Sequence, residues 1–367
     1  MDSETLAFTP AVQLAEMIRQ KRLSPVELMT ALLARIEALN PRVNAFAYLA
    51  ADAAMTAAKR AEAALMKDEH IGRLHGVPVT IKDLAITKDM PTQMGSHIFA
   101  GNQPTEDTPI VPRLRHEGAI ILGKTTTSEF GWTGVSHSPL TGITHNPWKH
   151  GTNAGASSAG AGAAAAAGFG PLHQGSDGAG SIRMPAHFCG VFGLKPTFGR
   201  VPYYPVGSGD YTSHMGPMTR TVADSALMLG VMAGPHPLDH TTCEAGPADY
   251  LGRLHEGVRG KRVAYSADLG VARVDPDVAV LVKSAVARFT ELGATVEEVK
   301  TPWAAPGPEM IRFFWAAHMA RLVPYLARWE AKMDPGLVAC IKAAHEYSVT
   351  DYQLMRDRKM AYVAAIH

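Results

Sequence analysis

Between Asn146 and Pro202 the sequence is dominated by Gly, Ala and Ser, with few long side chains and little hydrophobic periodicity. Side chains this small let one backbone pass close to another, or to a ligand. Gly155-Ala156-Ser157-Ser158-Ala159-Gly160-Ala161-Gly162 runs straight into five alanines, and Gly175-Ser176-Asp177-Gly178-Ala179-Gly180-Ser181-Ile182-Arg183 follows.

Three readings compete for this segment. A flexible linker fits Gly/Ser-rich composition. Linkers, however, rarely lead into an uninterrupted Ala helix and then a Gly-punctuated motif carrying Asp and Arg. A dinucleotide fingerprint fits Gly160-Ala161-Gly162-Ala163-Ala164-Ala165 in its loose form, but it requires a preceding strand, and Lys149 to Asn153 does not read as one. The third reading takes both Ser-containing runs together. Ser181 follows three small residues whose N–H groups no side chain obstructs, with a helix expected just after it. Such a turn presents a nucleophilic hydroxyl and gathers amides around a developing oxyanion.

The flanks have ordinary globular texture. Ser24-Pro25-Val26-Glu27 is a capping box opening an amphipathic helix that ends near Asn40-Pro41, and an Ala-rich helix runs to about Met66. Gly76 to Asp83 and Ala119 to Gly123 read as strands around a helix from Pro109 to His116, which predicts a parallel βαβ unit. After Thr221 come a helix to about Met232, a Pro-rich link from Gly234 to Leu238, a strand (Arg262 to Tyr265), a helix (Val278 to Leu292) and a strand (Thr295 to Val299). Helices then fill Glu309 to Trp329 and the final stretch.

Composition narrows the functional classes. With 35 Lys and Arg against 34 Asp and Glu, the chain lacks the charge excess of a nucleic-acid binder or an acidic tail. Its 34 Gly and 25 Pro make about 16% of the chain against an average near 12%, so many tight loops belong to a globular fold. Cys189, Cys243 and Cys340 form no C-x-x-C pair, so no disulfide framework is implied and a reducing compartment is expected. The acidic, polar start Met1-Asp2-Ser3-Glu4-Thr5 and the lack of any 18-residue apolar run predict a cytoplasmic protein with no membrane association. His236, His240 and Cys243 have metal-ligand types, but Pro237 argues against one helix displaying them, so no metal is expected.

The runs Gly155 to Gly160 and Gly175 to Arg183 occur together with Gly76 to Asp83, Gly193-Leu194-Lys195-Pro196-Thr197-Phe198-Gly199-Arg200-Val201 and Gly216-Pro217-Met218-Thr219-Arg220. In this order they resemble the hallmarks of the amidase signature family, and the resemblance covers nearly the whole chain from Ser24 onward. It implies one α/β/α sandwich, a mixed twisted central sheet covered by helices on both faces. Residues 1–66 would supply N-terminal helices, 67–235 the catalytic core and 236–367 a substrate-shaping region.

Carried over residue by residue, the resemblance implies a Ser-cis-Ser-Lys triad. Ser181 is the nucleophile, Ser157 the bridging serine after a cis peptide bond, and Lys82 the base. The oxyanion amides would be those of Gly178, Ala179, Gly180 and Ser181, with Asp177 and Arg183 bracing the loop. The sequence departs from the family where Ala156, Ala159 and Ala179 replace a commoner Gly, and at Gly178, where the family more often has Thr or Gln. The methyl of Ala179 is tolerated only if its φ is negative.

The chemistry is physically coherent. A serine hydroxyl needs a base, and no histidine adjoins either serine motif. Holding a lysine of reference pKa near 10.4 neutral at pH 7 costs about 4.6 kcal/mol in water. Burial of Lys82 beside Val79, Ile81 and Leu84 would supply much of that by desolvating the ammonium. No metal or organic cofactor enters.

The implied reaction is hydrolysis of a carboxylic amide to an acid plus ammonia or amine. Substrates in the family range over aliphatic, aryl, fatty-acid and ureido compounds. They also include glutamine, in the amide-hydrolysing component of a tRNA amidotransferase whose partner carries the RNA. A catalytically inactive binding protein of the same fold and a homodimeric assembly stay open. Phe313, Phe314, Trp315 and Tyr325 fit either an aryl pocket or helix core. Thr350-Asp351-Tyr352-Gln353 reads as a capping box opening a helix with no stop signal before His367, so a C-terminal truncation relative to the family is expected.

Overall fold

The computed structural model describes residues 1–207, 212–244, 246, 248–300 and 305–367. The chain forms two compact units, Met1–Leu251 with Tyr325–Val338, and Gly252–Pro324 with Ala339–His367.

The first unit begins with α1 (Ser3–Phe8), α2 (Ala11–Arg19), α3 (Pro25–Val43), β1 (Phe46–Leu49) and α4 (Ala51–Met66). The Ser24 side chain accepts from the amides of Val26 and Glu27, and Pro25 fills the first turn, where an N–H would lack a partner anyway. The helix passes through Pro41, beyond the expected end. Its stop is Asn44, left-handed at φ 55°, whose N–H closes onto Asn40 O.

β2 (Pro78–Lys82), α5 (Ile110–His116) and β3 (Ile120–Thr125) form the parallel unit expected, with Pro78 opposite Ile120 and Lys82 opposite Thr125. Two short ribbons follow, β4 (His137–Ser138) with β5 (Gly142–Ile143), and β6 (His145–Asn146) with β7 (Lys149–Asn153). β7 corrects the expectation that Lys149 to Asn153 is no strand: its pairing is local to the ribbon and supplies no sheet strand. The dinucleotide reading still fails, because Gly160 and Gly162 lie inside α6 (Ala159–Ala167) and not in a strand-to-helix turn.

β8 (Leu172–Asp177), α7 (Arg183–Cys189), β9 (Phe192–Gly193), β10 (His214–Thr219) and α8 (Val222–Met232) complete the main body. The sheet order is β1-β3-β2-β8-β10-β9, with β3, β2 and β8 mutually parallel and β1, β10 and β9 antiparallel to their neighbours. Every residue of β2 and β8 is buried, as for central strands covered on both faces. Alternation along β3 separates two cores. Ile121 packs with Leu14, Leu28, Val79 and Leu172, whereas Ile120 and Leu122 join Ile36, Phe46, Ala163 and Phe169 on the other face.

The second unit holds the parallel pair β11 (Arg262–Tyr265) and β12 (Thr295–Glu298) joined by α9 (Pro276–Glu291), together with α10 (Gly307–Met319). α11 (Val323–Trp329) and α12 (Pro335–Ala344) each run across a boundary between the units, and α13 (Val349–Ile366) follows. The α13 capping box sits two residues before the expected Thr350. Ser348 Oγ accepts from Asp351 N and Asp351 Oδ2 accepts from Ser348 N, while Gln353 donates to Asp357. A charged acceptor on the cap amide makes Asp351 the stronger partner. Phe313 is buried with Met310 and Met355 and stacks on Tyr347 at 4.3 Å. Among the described residues no helix is long and apolar enough to cross a membrane.

Candidate active site

The site lies beyond the carboxyl ends of β2 and β8. The two strands pair at Val79–Leu172 and Thr80–His173 and then part. In the gap the Gln174 side chain accepts from the Lys82 backbone N–H at 3.0 Å. The opening holds the Lys82 side chain, which has no solvent exposure.

Lys82 Nζ donates to Ser157 Oγ at 2.7 Å and to Ser176 Oγ at 3.0 Å. Burial pulls its pKa down to about 7, against the opposing pull of the Asp177 charge. A second buried lysine makes the contrast clear. Lys124 donates to the Ala85 carbonyl and to Thr87 and Thr92, and Asp83 lies close enough to favour its charge. A carbonyl can only accept, so Lys124 is held as a donor. Lys82 faces hydroxyls alone, which can donate to it once it is neutral.

Ser157 follows the cis bond Ala156–Ser157 and is 3% exposed. It directly precedes Ser158, the cap of α6. That helix forms because Ala is the best helix former, and it seats deeply because its residues are small. A Cβ on Gly160 would stand 2.2 Å from Ala45 O and 2.4 Å from Thr126 N. Gly131, at φ 75°, covers the serine from the opposite side, where a Cβ would stand 3.2 Å from Ser157 Oγ. The adjoining Glu129 is buried and accepts from Ser96 Oγ at 2.6 Å and Asp334 N at 2.7 Å.

Ser181 lies at the end of the turn after β8. Its carbonyl accepts from Ser158 N at 3.2 Å, which ties the two serine segments together. Its hydroxyl makes no hydrogen bond among the described residues, to Ser157 included, and the residue is 8% exposed.

Asp177 shapes this turn. Its carboxylate accepts from Gly180 N at 2.7 Å, Ile182 N at 3.1 Å, and Arg183 Nε and Nη2 at 3.0 and 2.9 Å. Burial raises its pKa, but the Arg183 fork and these amides outweigh it and hold the group at about 2. The bond to Asp177 also removes Gly180 N–H from the four amides expected to face an oxyanion. The amides of Gly178, Ala179 and Ser181 have no acceptor among the described residues. Ala179 is not among the residues of positive φ, so its methyl causes no backbone strain.

Sequence reasoning missed three supports. Gln174 and Ser176 stand two apart on β8 and both serve Lys82, a period-two polar pair inside a buried strand that could have flagged them. Ser158 Oγ donates to Ser176 O and accepts from Ser176 N, stitching the cap of α6 to β8. The Glu129–Gly131 loop had no comparable signal, since its partner Asp334 is 205 residues away.

Comparison with known proteins agrees with this architecture. The Amidase family profile matches residues 27–360. An acylamidase of Rhodococcus erythropolis is 42% identical over 355 residues, 96% of this chain and 74% of its own length. The amidase-type component of the glutamyl-tRNA(Gln) amidotransferase of Anaeromyxobacter dehalogenans is 39% identical over 82% of this chain, which spans 63% of that component. The crystal structure of a bacterial aryl acylamidase of the amidase signature family superposes with a TM-score of 0.89 at 29% identity, over 98% of this chain and 77% of that one. With the profile spanning most of the chain and the same mixed α/β fold in its structural neighbours, the chain belongs to the amidase signature family and is an amidase, a hydrolase of amide C–N bonds.

Proposed function

We propose that Ser181 is the nucleophile of this hydrolysis, with Ser157 and Lys82 as its proton relay. The observation that carries the reading is the 2.7 Å contact between Lys82 Nζ and Ser157 Oγ, made by a lysine whose pKa burial has drawn to about 7. Lys82 takes the Ser157 proton as Ser157 takes that of Ser181, and Ser181 Oγ bonds to the amide carbonyl carbon. The oxyanion rests on the amides of Gly178, Ala179 and Ser181. The proton returns through the serines to the leaving nitrogen, the C–N bond breaks, and ammonia or amine departs. Water then cleaves the acyl ester by the same relay and releases the acid.

The substrate class that the relatives favour is an acyl amide with an aryl or alkyl amine leaving group, since the relatives with the greatest coverage of this chain include an acylamidase and an aryl acylamidase. Glutamine, as in the amidotransferases, is the second reading, favoured by 39% identity over 308 residues. The three cysteines are free and Cys189 is buried, which suits a reducing cytoplasm.

A panel of anilide, primary amide, long-chain amide and glutamine, with amine or ammonia release followed, discriminates these substrates. A fluorophosphonate probe tests the nucleophile: labelling at Ser181 is expected, and a folded chain that stays unlabelled overturns the assignment.

A further inference from the structure

Within the first unit, a second cavity of about 580 Å³ opens where α3, α6 and α7 all end. Three guanidiniums line it, Arg35, Arg42 and Arg220, and no acid does. Two of them have structural duties. Arg35 donates to Ala167 O at 2.8 Å, and Arg220 donates to Ala165 O and Gly170 O at 2.9 Å, so both cap the carboxyl end of α6. Arg42 makes no side-chain hydrogen bond or ion pair among the described residues.

The charges do not cancel. Each helix end carries about half a negative charge. Three ends therefore offset about one and a half of the three positive charges, which leaves enough for one anion.

Beside the cations stands an aromatic platform. Trp148 is 75% exposed, yet its indole N–H is fixed on Cys189 O at 2.8 Å. A large aromatic pinned at the surface loses little freedom on binding a flat ligand. Leu39 and Val43 of α3 add apolar wall.

We propose that this cavity is a binding site, separate from the serine site, for a small aromatic carboxylate. The carboxylate pairs with Arg42 in the field of Arg35 and Arg220, and the ring lies on Trp148 against Leu39 and Val43. Guanidinium forks suit carboxylates, and the cavity volume lies in the range of small-molecule sites.

Titration calorimetry with benzoate tests this without recourse to hydrolysis. The intact chain should bind benzoate saturably in the millimolar range or below. Arg42→Glu and Trp148→Ala should each weaken binding roughly tenfold or more, about 1.4 kcal/mol, while circular dichroism shows the fold retained. Arg42→Lys, which keeps the charge, should retain more binding than Arg42→Glu. Benzamide, which has the ring without the charge, and inorganic phosphate, which has charge without the ring, should both bind more weakly. No saturable benzoate binding, or binding equal in both variants and the intact chain, overturns the site. Phosphate binding as tight as benzoate overturns the aromatic class.

Discussion

Lys82 Nζ stands 2.7 Å from Ser157 Oγ, at the end of a side chain that touches no solvent. Desolvation lowers the ammonium to about 7, so near neutrality a large share of molecules hold a free amine against a serine hydroxyl. The active form is the deprotonated one. kcat/KM should therefore fall below pH 7 and level off above it, and Lys82→Ala should abolish the limb together with most of the activity. A limb unchanged in that variant would assign the base elsewhere.

The two serines act as one device. Ser181→Ala and Ser157→Ala should each lower kcat roughly 10³-fold or more, and the double variant should be little worse than the poorer single one. Stopped assays of the three purified variants check this, and additive losses would mean that the serines act separately.

Asp177→Asn tests the turn. The amide cannot receive both the Arg183 fork and the Gly180 and Ile182 amides, so buried donors lose their acceptor at a cost of about 2 kcal/mol. kcat should fall more than KM rises, because Ser181 and its neighbouring amides lose their fixed geometry. The carboxylate is held at about 2, so its stabilisation is present above pH 4 and is lost as pH falls from about 4 to 2. Urea unfolding against pH reads this, and a variant with the wild-type acid profile would remove Asp177 as its source.

His173 governs the next window upward. Its Nε2 meets Gly170 O and its Nδ1 meets the Thr80 hydroxyl, and burial drops its pKa to about 3. The unfolded chain takes up a proton near pH 6.5 that the folded chain refuses, so stability should decline as pH falls from 6.5 toward 3. His173→Gln should be less stable at pH 7 yet show a shallower slope across that interval. An equal slope would exclude His173.

Gly160→Ala should destabilise by about 3 kcal/mol or prevent folding, since the methyl would enter the backbone at Ala45 and Thr126. Gly162→Ala, whose Cβ would meet Pro185 at 3.1 Å, should cost about 1 kcal/mol. Equal thermal shifts for the two would discount the close approach.

The sequence exposed those parts of the molecule that short-range rules govern. The Ser24 cap, the β2-α5-β3 unit, the Ala-rich helix and the serine turn all follow from neighbouring residues. Pro41 misled because the last helical turn tolerates a missing N–H, and Thr350 misled because Asp351 prefers to receive the Ser348 amide. Gln174, Ser176 and Glu129 were hidden for another reason: their partners come from distant segments, and no local pattern encodes a hydrogen bond across 205 residues.

The tight seat of α6 has a consequence for heritable change. A helix wedged backbone to backbone cannot drift by small substitutions, so the serines it carries keep their aim while the walls around them vary. Reactivity and selectivity are thereby placed in different parts of the gene. New substrates can be sampled by altering surfaces that touch the acyl or amine group, without retuning the relay each time.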